Sequence, residues 1–175
     1  MDPTVLHNLT YGMYIVSSCK EGRLNGQIAN TAFQITNEPV TIAISINKNN
    51  LTHEFIETSR VFSISVLEED TPLPFIGKFG FKTGRKEEKF KELNYKILGS
   101  GCPVILDNCL CYLEAKVTGR LDSSTHTVFL GEVVGSEMLK MGKPMTYNYY
   151  HTVKRGTTPR TAPTFIKGEV LDKGA

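Results

Sequence analysis

The stretch Leu24-Asn25-Gly26-Gln27-Ile28-Ala29-Asn30-Thr31-Ala32-Phe33-Gln34-Ile35 decides the fold, together with the run Val40-Thr41-Ile42-Ala43-Ile44-Ser45-Ile46-Asn47 that follows it. The first stretch is rich in small residues and amides and leads into a β run, and a turn at residues 36–39 precedes the second run. Short polar side chains and backbone amides therefore gather near one strand end. Such groups orient a planar, hydrogen-bonding ligand in an apolar cleft, although a plain hairpin with a polar turn has the same pattern.

A helix is predicted over residues 51–58, directly after the polar loop that ends the second β run. Asn50 is the expected N-cap, or Thr52 if the helix begins later. The first turn of a helix offers unpaired N–H groups and a partial positive charge, which suit an anionic phosphate. Thr52 adds a hydroxyl there, or serves only as the cap.

The rest of the chain alternates further strands with a few short helices. Strands are predicted over residues 13–18, 60–67, 109–121 with a bulge near Gly119, and 126–138 as the hairpin partner of that strand; short helices are predicted over 3–9, 72–78 with an interruption at Pro74, and 86–93. Five to seven strands with few helices predict an all-β barrel with peripheral helices. An OB-fold or another Greek-key barrel fits this pattern equally well.

Composition indicates a single ordinary globular domain. The chain has 175 residues, of which 40% are hydrophobic and 22% are charged, and a net charge of +2. No apolar run approaches the about 20 residues of a membrane helix, and the N-terminus lacks the features of a signal peptide. We therefore expect a cytoplasmic protein without a membrane partner. A nucleic-acid-binding barrel, suggested by the sequence pI of about 8.3, is disfavoured because basic and acidic residues are interspersed.

The four cysteines do not form a metal-binding pattern. They are Cys19, Cys102, Cys109 and Cys111, and none forms a Cys-x-x-Cys pair. We assign no metal site and expect separate reduced thiols.

The segment Gly26-Gln27-Ile28-Ala29-Asn30-Thr31-Ala32-Phe33 resembles the Gly-x-Thr-Ala-Asn-Ser-x-Phe signature of the flavin reductase-like, FMN-binding split-barrel family. Ile28 stands where the wider family often has Thr, and Thr31 replaces Ser. Together with Ser45-Ile46-Asn47-Lys48 and Leu51-Thr52-His53, it is most similar to the flavin reductase domains of high-molecular-weight rubredoxins and related partners of flavodiiron proteins. The resemblance covers residues 7–166 and implies a Greek-key split barrel that forms a homodimer.

The resemblance also implies a cofactor and the residues that bind it. FMN is expected in preference to FAD, with residues 27–31 at the isoalloxazine edge, residues 45–48 at the ring and ribityl chain, and basic or hydroxyl side chains at the phosphate. The expected contacts are Gln27, Ile28, Ala29, Asn30, Thr31, Ser45, Ile46, Asn47, Lys48, Asn50, Thr52, Lys82 and Arg85. Lys82 and Arg85 lie in a glycine-containing basic loop that the family places on the flavin, and the alternative is a solvated surface loop.

The implied activity is transfer of a hydride from NAD(P)H to the flavin and of electrons onward to rubredoxin, a flavodiiron protein, free flavin or ferric ion. The alternative is a non-enzymatic FMN electron-transfer protein that does not bind nicotinamide. We assign no catalytic side chain, because hydride transfer needs positioning rather than an acid or a nucleophile. His126 matches a family histidine near the flavin and nicotinamide, or is structural.

The C-terminal part of the sequence is predicted to be an arm. Residues 156–175 are basic and rich in Thr and Pro, and we expect them to extend over a barrel domain of residues 1–155 or over a neighbouring subunit. Just before the arm, the aromatic cluster Tyr149, Tyr150 and His151 is expected to pack on the barrel, and the alternative is that it lines the open face of a planar ring. In the related longer proteins a rubredoxin follows. No Cys-x-x-Cys pair follows here, so we expect any rubredoxin to be a separate protein.

Overall fold

The computed structural model describes residues 2–166 and contains a seven-stranded antiparallel sheet. Its strands are β1 (Tyr14–Lys20), β2 (Arg23–Ala29), β3 (Ala32–Asn37), β4 (Val40–Asn47), β5 (Val61–Leu67), β8 (Cys109–Asp122) and β9 (His126–Met138), while β6 (Tyr95–Ile97) and β7 (Pro103–Ile105) form a separate ribbon. The strand order in the sheet is β2-β1-β5-β8-β9-β4-β3. A 3-10 helix (Pro3–Asn8) and the helices α1 (Leu51–Ser59), α2 (Leu73–Gly80) and α3 (Tyr147–Thr152) surround the sheet. The predicted all-β class with peripheral helices is confirmed.

The connection between β2 and β3 brings the two edges of the sheet together at one point, so that the sheet curls into a split barrel in which β3 remains an edge strand. These strands lie at opposite ends of the strand order, yet only Asn30 and Thr31 separate them in the chain. Because each residue spans at most about 3.6 Å, the two sheet edges must meet here. The Ser45 N–H donates a hydrogen bond to the Thr31 carbonyl at 3.2 Å, so this crossing is fixed against β4.

Two hydrophobic cores lie on the two faces of the sheet. Ile15 and Val16 are both fully buried, but Ile15 belongs to the outer core and Val16 to the barrel interior, because successive strand residues point to opposite faces. On β4, Ile42, Ile44 and Ile46 all face the interior, which explains their spacing of two. Helix α2 contributes Ile76 and Phe79 to the outer core, and this packing places the helix beside β2.

The hairpin of β8 and β9 follows the prediction, including a register shift between Val117 and Gly119. The prediction of an interruption at Pro74 is wrong, because this proline lies in the first turn of α2, where a missing N–H costs little. The helix predicted over residues 86–93 is also wrong. That segment consists of turns, its Glu92 has a φ of 61°, and Lys89 is held by backbone carbonyls of other elements.

Among residues 2–166, no helix has the length and apolar character needed to cross a membrane.

Candidate functional site

A cavity of about 560 Å³ opens where the first stretch of the sequence meets the exit of β4. Its walls come from β2, the loop after β4, the first turn of α1, the segment after α2 and the chain at residues 157–165. The predicted site residues that line it are Gln27, Ile28, Ala29, Asn30, Ser45, Asn47, Asn50, Thr52, Lys82 and His126. The structure thus brings together ten side chains that are spread over 100 positions of the chain.

Two predicted contacts near the strands lie outside this lining. Ile46 is completely buried in the barrel interior, because it alternates with the cavity-lining Ser45 and Asn47. The hydroxyl of Thr31 donates to the side-chain oxygen of Asn30 at 3.1 Å. Thr31 therefore supports the predicted contact next to it.

Two predicted cations also lie outside the lining, because acidic side chains hold them elsewhere. The Arg85 guanidinium pairs with Glu54 at 3.2 Å, and the Lys48 amine lies 3.5 Å from Asp122. Both pairs join residues that are far apart in the chain, so the sequence pattern alone could not reveal them. Lys82 does line the cavity.

The first turn of α1 presents a prepared hydroxyl to the cavity. Asn50 is the N-cap and Thr52 lies inside the helix, so the alternative that Thr52 serves only as the cap is wrong. The buried Asn25 side-chain amide donates to the Thr52 hydroxyl at 2.8 Å. Because Thr52 accepts this bond, its own proton remains available beside the free N–H groups of the helix.

Two buried acceptors in the cavity wall have no hydrogen-bond partner within residues 2–166. They are the side-chain oxygens of Asn25 and Gln27. A buried polar atom without a partner is costly, and such atoms often mark a place where a ligand supplies the missing donor. Gly84 closes over Asn25 so tightly that a Cβ on it would lie 1.9 Å from the Asn25 oxygen.

The charged residues that line the cavity are all cations. They are Lys82, Lys89 and Arg160, and no Asp or Glu is among the described residues that line it. Lys89 is only 4% exposed, and burial lowers its pKa to about 8. The sequence predicted a charged helix over residues 86–93 as the alternative to a basic loop on the flavin, and the charged residues around Lys89 gave no signal of burial.

Residues 157–165 form the outer wall of the cavity. The Asn30 amide donates to the Thr164 hydroxyl at 2.9 Å, and Thr164 donates to the Tyr147 hydroxyl at 2.9 Å. The His126 ring donates from Nε2 to the Thr161 carbonyl at 3.2 Å, and burial of the ring lowers the pKa of His126. The proposed division into a barrel and an arm of residues 156–175 stays a prediction, since 167–175 lie outside the described residues.

The aromatic residues before the arm have two roles. Tyr150 is buried in the outer core, as the predicted packing requires, but Tyr147 and Tyr150 also line the cavity. Their hydroxyls bond to the outer wall, with Tyr150 donating to the Thr157 carbonyl at 3.0 Å. The aromatic cluster thus holds the wall in place as well as packing on the barrel.

These residues fit the expected flavin mononucleotide. The cavity volume lies in the range of about 300–1,000 Å³ typical of ligand sites. The side-chain oxygens of Gln27 and Asn25 lack a hydrogen-bond donor. The flavin ring N–H and the ribityl hydroxyls are groups that could donate to them. The cations and the first turn of α1 suit its phosphate.

Comparisons with known proteins agree with the geometry. Residues 6–158 match the model of the flavin reductase like domain family. The chain is 55% identical over 175 residues to the high molecular weight rubredoxin of Moorella thermoacetica, covering 100% of this chain and 76% of that protein. It is 44% identical over 169 residues to the ferric-chelate reductase (NAD(P)H) of Archaeoglobus fulgidus, covering 97% and 100%.

Solved structures show the same fold at lower identity. The NADH:FAD oxidoreductase SgcE6 of Streptomyces globisporus C-1027 superimposes with a TM-score of 0.74 at 22% identity, covering 81% of this chain and 83% of that one.

Proposed function

The chain belongs to the flavin reductase-like family, and from this premise we propose that it is an FMN-dependent oxidoreductase that takes hydride from NAD(P)H and passes electrons to an acceptor. The observation that carries the proposal is the cavity with two unpaired buried acceptors, three cations and no lining carboxylate among the described residues. A basic ligand would add positive charge beside these cations, of which only Lys82 has a carboxylate partner, Glu87, among the described residues. An anionic flavin complements this arrangement.

The chain's contribution is to bind and orient. Gln27 and Asn30 present amides at one wall, and Ser45 and Asn47 present polar groups from the end of β4. Thr52 and the first turn of α1 supply donors for a phosphate. Bound FMN would supply the redox chemistry, by accepting a hydride and releasing electrons. No side chain of the chain is assigned a proton-transfer role.

The relatives support the choice of electron donor and acceptor. The Archaeoglobus protein is named as an NAD(P)H ferric-chelate reductase, and a relative from Rhizobium rhizogenes, 27% identical over 144 residues and matched over 80% of its length, is named an NADH-dependent FMN reductase. The Moorella relative is named a rubredoxin. We infer a rubredoxin, a flavodiiron protein, free flavin or ferric ion as the electron acceptor of this chain.

A homodimer is the assembly that the surface supports. Edge strand β3 carries Phe33, which is 57% exposed, and Ile35, and the adjoining turn leads to the exposed Val40. A two-fold partner would cover such an apolar edge. The cytoplasmic location stays a prediction.

Anaerobic mixing of the FMN-loaded protein with NADH or NADPH tests the activity. If the protein is the oxidoreductase, the yellow absorbance of the bound flavin is expected to disappear after NADH or NADPH is added. If the absorbance persists with both nucleotides but is lost with dithionite, the protein is the alternative, an electron carrier without nicotinamide binding. A purified protein that is colourless and does not bind added FMN would contradict both.

A further inference from the structure

Lys89 is a buried ammonium group at the wall of the cavity. It is 4% exposed, and its Nζ donates to the Gly26 carbonyl at 3.0 Å and to the Phe79 carbonyl at 3.2 Å. These two bonds join β2 to the last turn of α2. An ammonium group has three N–H donors, so one donor remains beyond these bonds.

The charge of Lys89 is not neutralised by a carboxylate. Within residues 2–166, no acidic side chain lies within salt-bridge distance of its amine, which the two carbonyl groups only partly compensate. Glu87 is the acidic residue that acts on it at longer range, and Glu87 is itself paired with Lys82 at 3.0 Å. Removing an ammonium from water without a counter-charge is expensive. The chain retains this cost next to a cavity whose described lining has no acidic residue.

We propose that Lys89 binds an anionic oxygen of the flavin through its remaining N–H, and so supplies the main fixed positive charge inside the cavity. This inference rests on the proposed function. The anionic oxygen belongs either to the phosphate or to the pyrimidine end of the ring system, which gains negative charge on reduction. Lys82 and Arg160 are less suited to this role, because Lys82 is paired with Glu87 and both side chains are more exposed than Lys89.

A purely structural lysine is available on the same part of the molecule for comparison. Lys78 donates to the Lys91 carbonyl at 2.9 Å and thereby also joins α2 to the segment after it. Lys78 is not among the residues that line the cavity. Like Lys89, Lys78 connects α2 to the segment that follows it. Unlike Lys89, it is not fully buried and does not line the cavity.

The test compares Lys89→Gln with Lys78→Gln. Glutamine keeps N–H donors for the two carbonyls but removes the charge. Dissociation constants for FMN and for riboflavin, which lacks the phosphate, are measured by quenching of flavin fluorescence, and the midpoint potential of the bound flavin is measured with each variant. Since a hydrogen bond to a charged group contributes more than a neutral one, K89Q should weaken FMN binding about ten- to hundredfold, and K78Q should leave it unchanged.

The two sources of the anionic oxygen give different results. If the phosphate is bound, K89Q weakens FMN and leaves riboflavin unchanged. If the ring is bound, both flavins weaken and the midpoint potential falls, because reduction then adds negative charge without a cation nearby. A folded K89Q protein with unchanged FMN and riboflavin affinities and an unchanged potential overturns the inference.

A second measurement applies if K89Q does not fold. The unmodified protein is titrated with both flavins between pH 7 and pH 9, across the range in which Lys89 loses its proton; the charged groups nearest to Lys89 are Glu87 and Lys82, which pair with each other. Weaker binding of FMN alone or of both flavins at high pH supports the inference, and affinities that stay constant for both overturn it. Failure of the unmodified protein to bind any flavin would instead refute the proposed function, so the two failures are distinguishable.

Discussion

The side-chain amide of Asn30 donates a hydrogen bond to the hydroxyl of Thr164, 134 residues later in the chain, at 2.9 Å. Asn30 lies between β2 and β3, where the two edges of the sheet meet, and Thr164 lies between Pro163 and Phe165, which line the outer wall of the cavity. Thr164 in turn donates to Tyr147. The outer wall is thus fastened where the two edges of the sheet meet.

Replacing Thr164 by valine should loosen the outer wall. Thr164→Val removes the bonds to Asn30 and Tyr147 with little change of shape, and each bond contributes roughly 1 kcal/mol. Trypsin cleavage after Arg160 should accelerate about 5- to 30-fold, because one or two kcal/mol changes an equilibrium by that factor. Thr161→Val is the control, since Thr161 uses its backbone carbonyl for its contact with His126. Equal cleavage rates in both variants would show that the wall is held by other contacts.

Adding a methyl group at Gly84 should weaken flavin binding. A Cβ on Gly84 would lie 1.9 Å from the Asn25 oxygen and 3.2 Å from Leu51, so Gly84→Ala must push the loop away from the first turn of α1. We expect at least a tenfold rise in the FMN dissociation constant, measured by fluorescence quenching. Gly99→Ala is the matched control, because a Cβ there meets nothing within 4 Å. If the Gly84→Ala variant binds FMN as tightly as this control, the close approach of Gly84 to Asn25 is not needed for flavin binding.

Replacing Gln27 by methionine should separate stability from binding. The buried Gln27 oxygen lacks a partner in the described structure, so Gln27→Met removes an unsatisfied acceptor at similar volume. The flavin-free protein should unfold with unchanged or about 1 kcal/mol higher free energy, while FMN affinity falls about tenfold. Urea unfolding and FMN titration measure the two effects. Gln34→Met, on the exposed part of β3, should change neither; a loss of stability without a loss of affinity at Gln27 would contradict the assignment.

The buried Lys89 should make the stability of the flavin-free protein rise with pH. Its pKa is about 8 in the folded protein and 10.5 as the ordinary value, so between these values the unfolded chain binds the proton and the folded chain does not. The unfolding free energy should therefore increase from about pH 8 to pH 10.5 by up to about 3 kcal/mol. Below pH 8 the buried amine is charged in the folded protein, so the folded state is destabilised by the full amount.

Urea unfolding of the unmodified protein and of Lys89→Met at pH 7, 8, 9 and 10 measures this increase: the unfolding free energy of the unmodified protein should rise relative to that of the variant as the pH rises. The other titratable groups are present in both proteins, so their contributions cancel in the difference between the two unfolding free energies. Lys78→Met, which removes a half-buried lysine outside the cavity lining, should follow the unmodified protein. Parallel curves for the Lys89 variant would mean that this amine titrates as in the unfolded chain.

Much of the fold could be predicted because its signals are local. The alternation of Ile42, Ile44 and Ile46 reports one buried strand face, and the bulge before Gly119 was indicated by the glycine itself. The segment after α2 was predicted wrongly, because its charged residues are typical of a surface helix. Lys89 and Phe90 are nevertheless buried there by contacts with β2 and α2 that no periodicity reports.

The sequence by itself determined the β class, the stretch from Leu24 to Asn47 at the centre of the site, and the resemblance to a flavin-binding family. These follow from residue types and from spacings of a few positions. Only the tertiary structure decided which cations face the cavity, with Arg85 held by Glu54 and Lys89 turned inward, and that residues 157–165 close it. The physical reason is that ion pairs, burial and wall contacts join residues tens of positions apart, and such contacts leave no pattern along the chain.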